Sequence, residues 1–149
     1  FKGVMKVAAV QMPSLEQTFW ASVGSGAYQN GKRINVSCRS DVHGSSILTA
    51  KPNLDSVYWP GGVPPMRQFY RSSLAYRLCL AANGSFDSMV TLRDCWEWDI
   101  AAGDLIVREA GGLVTDRYGK ALSFNNPKPK RPGVLAGPKD IQLNLLKRL

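Results

Sequence analysis

The sequence predicts an α/β chain, a mixed sheet with flanking helices. Short apolar stretches that read as strands recur along it, "MKVAAV" at 5–10 and "GVLAG" at 133–137 among them. Two stretches between them, 71–84 and 99–110, carry apolar residues at helical spacing. A hydrophobic share of 44% against 20% charged residues, over 149 residues, suits one modest domain with a core and argues against disorder.

The elements follow in order. Strands are expected at 5–10 and 19–23. "GSGAYQNGKRINVS" (24–37) carries Asn30-Gly31 between two extended stretches, the strongest short-range hairpin signal. "SSILTA" (45–50) is a further strand. Proline and glycine then make 51–68 a long loop, or a loop with a short helix, and a candidate lid or substrate-facing segment. Trp59 within it is a packed anchor or a ligand contact. Leu74, Leu78 and Ala81 mark a helix over 71–84, with Ser72 or Ser73 as its cap and Gly84 at its end. Cys79 lies among them as core filler. A strand at 85–92 precedes a helix that Asp99 caps and that runs to about Ala110, where Gly111-Gly112 stop it. Strands at 113–116 and 133–137 follow, with a turn at 117–120. Pro138 falls in the first turn of a final helix.

The net charge of +8 favours anionic partners: nucleic acid, a membrane surface or phosphorylated small molecules. The basic residues are scattered, however. Their one cluster, "NPKPKRPG" (126–133), is broken by prolines and reads as a stiff solvated loop, so nucleic acid is not the expected partner. Three cysteines, an odd number without CxxC spacing, indicate neither a disulfide framework nor a zinc site. A reducing, cytoplasmic setting fits them best. His43 is the only histidine and reads as a surface-loop residue, which leaves no histidine-rich metal site. No apolar run approaches a membrane span. The opening segment is basic and then apolar, but short and without a cleavage site, so it is not read as a signal peptide. A start at Phe1 is what a processed, trimmed or truncated product would show.

Two places suit anions. "RSSL" and "EWDIAAG" each open a helix, where free N–H groups and the helix dipole favour negative charge, and Arg71 adds to the first. An aspartate at a helix start can cap it, a contribution of about 1 kcal/mol. It can also offer an oxygen to a hard cation, which takes one or two carboxylates plus substrate phosphate and water. Asp94, Glu97 and Asp99 form the only tight acidic trio, and Asp104 and Glu109 are expected to face solvent. Asp99 therefore reads as one ligand of an incomplete site.

"WDIAAGDLIVREAGGLVTD" (98–116) closely resembles the C-terminal signature of the inositol monophosphatase family. The hairpin at 24–37 and "RSSLAYRLCLAANGSFD" (71–87) resemble further parts of its pattern, so that the likeness covers nearly the whole chain. The Ser-Leu-Ala-Tyr-Arg run looks closer to the bacterial branch with 3′(2′),5′-bisphosphate nucleotidases. The resemblance implies the C-terminal half of a layered αβαβα sugar-phosphatase-type fold. It implies hydrolysis of phosphate monoesters of small metabolites by water, with two or three Mg²⁺ ions and no phospho-enzyme. It makes Asp99 a metal ligand near the substrate, and sets Arg71, Ser72, Ser73 and Leu74 at the helix start that meets the substrate. Ser72 replaces a glycine of the motif and Leu74 a small alanine. The position where inositol enzymes hold an acidic residue against the sugar falls near Thr91 or Leu92, which weakens inositol phosphate as substrate. The family's Asp-Pro-Ile/Leu-Asp-Gly-Thr motif and its upstream glutamate are absent, so the resemblance implies a missing N-terminal half that holds the catalytic acid. The chain alone would then be inactive, and a homodimer is compatible with the family. The rival expectation is a non-enzymatic phosphatase-like domain that binds polyanions or a protein.

Overall fold

A computed structural model describes residues 5–149; the first residues of the basic opening segment, 1–4, lie outside it. The chain starts as an antiparallel meander of β1 (Val7–Met12), β2 (Gln17–Ser22), β3 (Gly26–Gln29) and β4 (Lys32–Ile34). Asn30-Gly31 turns β3 into β4, as expected, with φ of 48° and 79° at the two residues. Such left-handed conformations match the twist of a tight hairpin. Asn30 also stitches the neighbouring turn, since its Oδ1 accepts from the Thr18 N–H and its Nδ2 donates to the Glu16 carbonyl, both at 2.8 Å.

The second sheet has five strands: β5 (Ser46–Leu48), β6 (Arg67–Phe69), β7 (Ser88–Thr91), β9 (Leu113–Thr115) and β11 (Val134–Gly137). Their order is β6-β5-β7-β11-β9; β5 runs parallel to β6 and β7, and β11 antiparallel to β7 and β9. The sheet is mixed, as the sequence predicts. A two-stranded ribbon joins β8 (Cys95–Trp96) to β10 (Lys130–Arg131). The proline-broken basic cluster is thus partly a paired strand rather than wholly a solvated loop.

Helices α1 (Leu74–Ala82) and α2 (Glu97–Glu109) lie between the two sheets, and α3 (Lys139–Leu146) covers the outer face of the five-stranded sheet. The layers read β-α-β-α. Period-two side chains explain why both faces of that sheet are apolar. Leu48, Met89, Val134 and Ala136 point to α1 and α2, while Ile47, Val90 and Leu135 meet Ile141 and Leu145 on the far side. Each fully buried aliphatic side chain is worth about 1.5–3 kcal/mol relative to exposure. Gly103 lets α1 and α2 approach closely, since a Cβ there would lie 2.6 Å from the Leu78 Cβ.

Several expected boundaries shift. The 51–68 segment contains two 3₁₀ turns, at Lys51–Leu54 and Ser56–Tyr58, and runs into the short strand β6 where a loop is expected. Trp59 is 2% exposed and donates from Nε1 to the Asn53 carbonyl at 2.8 Å, so it is an anchor. Pro138 is the N-cap of α3, one residue before the first turn in which it is expected. Asp104 does not face solvent. It is 2% exposed and accepts from Arg108 at 2.7 and 3.1 Å. Glu109 is half-buried and bound to backbone. His43 is exposed. Cys79 is buried, which pushes its thiol up to about 12 and suits inert packing.

Candidate functional site

Asp99 is not the cap of α2. Trp96 is the last extended residue, with φ −82° and ψ 146°, and its side chain makes no capping bond. The cap falls three residues before the expected one, at the end of the β8–β10 ribbon. The Glu97 N–H donates to the Pro129 carbonyl at 3.0 Å, which fixes that start. Asp99 is thus the third helical residue, still in the first turn, where the dipole favours a carboxylate.

The acidic trio separates. Glu97 is buried and structural. It accepts from the Asn125 N–H at 2.7 Å and from Asn126 Nδ2 at 2.7 Å, and pairs with Arg131 at 3.3 Å. Burial pushes this carboxyl up, but the asparagine donors and the Arg131 charge outweigh it and hold the group below the usual range. Asp94 is exposed and Asp99 half-buried. The Asp99 carboxylate accepts no hydrogen bond among the described residues, which leaves its oxygens open.

Asp99 lines a cavity of about 290 Å³. Asp99, Asp94 and Cys95 form one side, from the β8–α2 junction. Leu74 and Arg77 come from α1, and Thr91 and Arg93 from the end of β7. Asn53 belongs to the lining too, so the 51–68 segment does reach the site. Its Oδ1 accepts from the Leu92 N–H at 3.0 Å, which ties that segment to the end of β7. Cys95 is no nucleophile. Burial, with the charges of Asp99 and Asp94 next, pushes its thiol up to about 11. A larger cavity, about 550 Å³, lies near α3 between Tyr58, Arg117 and Leu146. It has no acidic residue in its lining, and its Arg117 already donates to the Leu92 carbonyl at 2.6 Å, so the Asp99 cavity is the better chemical candidate.

Of the residues that sequence reading selected, Asp99 and Leu74 share this cavity. Arg71, Ser72 and Ser73 do not line it. Arg71 lies over the Phe86 ring at 5.7 Å and donates to the Tyr70 carbonyl at 2.8 Å. Ser72 is exposed. Ser73 caps α1, its Oγ accepting from the Tyr76 N–H at 3.3 Å, and it holds φ at 63°. Sequence reading missed Arg77, which is 8% exposed. A charged residue on the apolar stripe of α1, one before Leu78, was the available signal. Among the described residues no three His, Cys, Asp or Glu side chains gather as a metal-ligand set. No helix among them is long and apolar enough to cross a membrane.

The fold is the mixed α/β architecture of a family of phosphatases. The chain belongs to the inositol monophosphatase family, whose model matches residues 1–148. It is 36% identical over 127 residues to a putative Nus factor SuhB of Neisseria meningitidis, covering 80% of this chain and 48% of that protein. It is 37% identical over 124 residues to a fructose-1,6-bisphosphatase/inositol-1-monophosphatase of Thermotoga maritima, covering 79% and 46%. Among solved structures, SuhB of Bartonella henselae superposes with a TM-score of 0.79 at 30% identity, over 99% of this chain and 59% of that one. Inositol monophosphatase-II of Staphylococcus aureus gives 0.82 at 18% identity over 98% of this chain and 55% of that one, a likeness of fold. The chain spans about half the length of the curated relatives it matches.

Proposed function

We propose that the chain is the C-terminal part of a cytoplasmic, Mg²⁺-dependent phosphate-monoester hydrolase. Its substrates would be small phosphorylated metabolites of the inositol phosphate or 3′(2′),5′-adenosine bisphosphate type. The observation that carries this reading is the free carboxylate of Asp99 in the first turn of α2, on a cavity that α1 also lines near its start. Family membership supports the reaction class.

A carboxylate with no hydrogen-bond partner among the described residues fits one ligand of a hard cation. Asp99 would hold that ion, and the remaining ligands would come from the N-terminal part. Mg²⁺, when bound, supplies an activated water and neutralises charge on the phosphoryl group. The chain's own part is to present Asp99 and to aim helix N–H groups at the phosphate. Thr91 lines the cavity where the resemblance would put an acid, which favours substrates other than simple inositol monophosphate.

Changing Asp99→Asn in the complete protein is expected to cut phosphate release at least a hundredfold while shifting Tm by less than about 3 °C. Normal turnover in that variant would remove the metal role. The 149-residue chain alone is expected to release no phosphate, with or without Mg²⁺; robust hydrolysis by it would overturn the need for an N-terminal part.

A second reading, a binding role toward a protein or polyanion, draws on the +8 charge and on relatives named as Nus factors. It is favoured if the complete protein releases phosphate from no ester in a broad screen.

A further inference from the structure

The cavity of about 550 Å³ near α3 falls in the size range of small-molecule sites, about 300–1,000 Å³. Val57 and Tyr58 come from the 3₁₀ turn that follows Asn53, Arg117 and Tyr118 from the turn after β9, and Leu146 from the end of α3. Leu92, just after β7, joins them. Tyr58 and Leu146 pack against the buried cluster that holds Trp59, Ile141 and Leu145, so these walls stand on the core. Val57 is 76% and Tyr118 65% exposed. Apolar surface gathered at the mouth of a concave site marks binding more than packing.

Among the described residues Arg117 supplies the one charged side chain of this lining, and neither ion pair involves it. It donates from Nη1 to the Leu92 carbonyl at 2.6 Å and from Nη2 to the Tyr118 hydroxyl at 2.8 Å. Those bonds fix the planar fork and use two of its five N–H donors. A held guanidinium among apolar walls suits a planar carboxylate with an apolar body. The last residue of α3 lies on the same cavity, so the negative end of that helix dipole is near. One cation beside it favours a single negative charge over a phosphate dianion.

This cavity also shares a wall with the Asp99 cavity. Thr91 and Arg93 line the Asp99 cavity, and Leu92 between them lines this one. Asn53 lines the Asp99 cavity, and Val57 and Tyr58 follow it in the same segment. Leu92 is buried and held at both backbone groups. Its N–H donates to Asn53 Oδ1 at 3.0 Å, and its carbonyl accepts from Arg117.

We propose that the cavity near α3 is a second ligand site, for a small monocarboxylate with an aromatic or aliphatic body, and that its occupancy lowers turnover at the Asp99 cavity through Leu92. The binding stands on this cavity alone; the effect on turnover rests on the phosphatase reading above. The carboxylate takes further donors of Arg117 and weakens its hold on the Leu92 carbonyl. Residues 91 and 93 then shift on the Asp99 cavity.

The test uses the complete protein and 4-phenylbutyrate, with 4-phenylbutan-1-ol as the neutral counterpart. In calorimetric titration the carboxylate is expected to bind at least tenfold more tightly than the alcohol. Val57→Asp changes an exposed position and sets a negative charge at the mouth. It should weaken the carboxylate at least tenfold and the alcohol less than threefold. Arg117→Gln should remove the preference for the carboxylate, and Val57→Asp carries the comparison if that variant unfolds. No binding, equal affinity for the two compounds, or an unmoved carboxylate affinity in Val57→Asp would overturn the proposal. Turnover is read with Mg²⁺ on adenosine 3′,5′-bisphosphate or inositol 1-phosphate, whichever is hydrolysed. Saturating 4-phenylbutyrate should lower kcat/KM at least threefold in wild type and leave Val57→Asp unchanged at the same concentration. An unchanged wild type overturns the coupling; a fall that persists in Val57→Asp puts the carboxylate in the Asp99 cavity and overturns the second site. If no ester is hydrolysed, the phosphatase reading fails, and the second site is judged by the titrations alone.

Discussion

Glu109, in the last turn of α2, binds the backbone of Gly26 across the gap between the helical layer and the meander. Its Oε2 accepts from the Gly26 N–H and its Oε1 from the Gly24 N–H, both at 3.0 Å. Both glycines have positive φ, 76° at Gly24 in the turn between β2 and β3 and 85° at Gly26, the first residue of β3. An acid at a helix C-terminus is opposed by the dipole, by about 0.3–1 kcal/mol. Hydrogen bonds to a charged group contribute about 1.5–3 kcal/mol each when well made, so the bonds win. Glu109→Ala is expected to lower stability by about 2 kcal/mol and Glu109→Gln by about 1 kcal/mol. Urea unfolding would show a lower midpoint at unchanged slope; an unmoved midpoint in Glu109→Ala would mean that the turn holds without it.

Ser73 combines two opposing effects. Its hydroxyl caps α1, while its backbone holds φ 63° and ψ 120°, a conformation that costs a non-glycine residue about 1–3 kcal/mol. Glycine at an N-cap costs only a few tenths of a kcal/mol relative to serine. Ser73→Gly is therefore expected to match or exceed wild-type stability. Ser73→Ala, which keeps the strain and loses the cap, should fall by about 1 kcal/mol. Thermal melts of the two variants decide the matter, and the reverse order would refute the strain.

Asp87 links β5 to β7. It accepts from the Ser46 N–H, the Ser46 hydroxyl and the Ser37 hydroxyl, each at 2.8 Å. Burial pushes its carboxyl up, but these donors and the Arg39 charge outweigh it and hold the group below the ordinary aspartate range. A depressed folded pKa adds stability above the unfolded value, about 3.9, and that contribution is lost as pH falls through the folded value. Asp87→Asn should thus be less stable at pH 7 and show a shallower loss of stability below about pH 4. Parallel acid-melt curves for wild type and variant would count against the linkage.

Much of the architecture was legible in local chemistry. Asn30-Gly31 specified its hairpin because few pairs tolerate those dihedrals. The apolar runs at 45–50, 85–92 and 133–137 became the central strands β5, β7 and β11, where both faces are buried and no polar alternation interrupts the signal. The short pairings escaped notice. β8 and β10 have two residues each and exist through one another, across more than thirty residues of sequence. No local propensity records such a contact. The same ribbon moved the start of α2 and turned Asp99 from cap to third helical residue. Asp104 was misread for a related reason, since the packing that buries its face of α2 is a tertiary fact. Of the residues singled out by the resemblance, Asp99 and Leu74 line the candidate cavity. Arg77 was not legible, because a lone arginine in a helix ordinarily reaches solvent, and only the packing of α1 shows that this one does not.

The near contact of Gly103 with Leu78 has a mechanical consequence. Leu74 and Asp99 lie near the starts of two helices that meet here through the Leu78 side chain against the bare backbone of Gly103, so a side chain at 103 would force the helices apart and shift the two residues relative to each other.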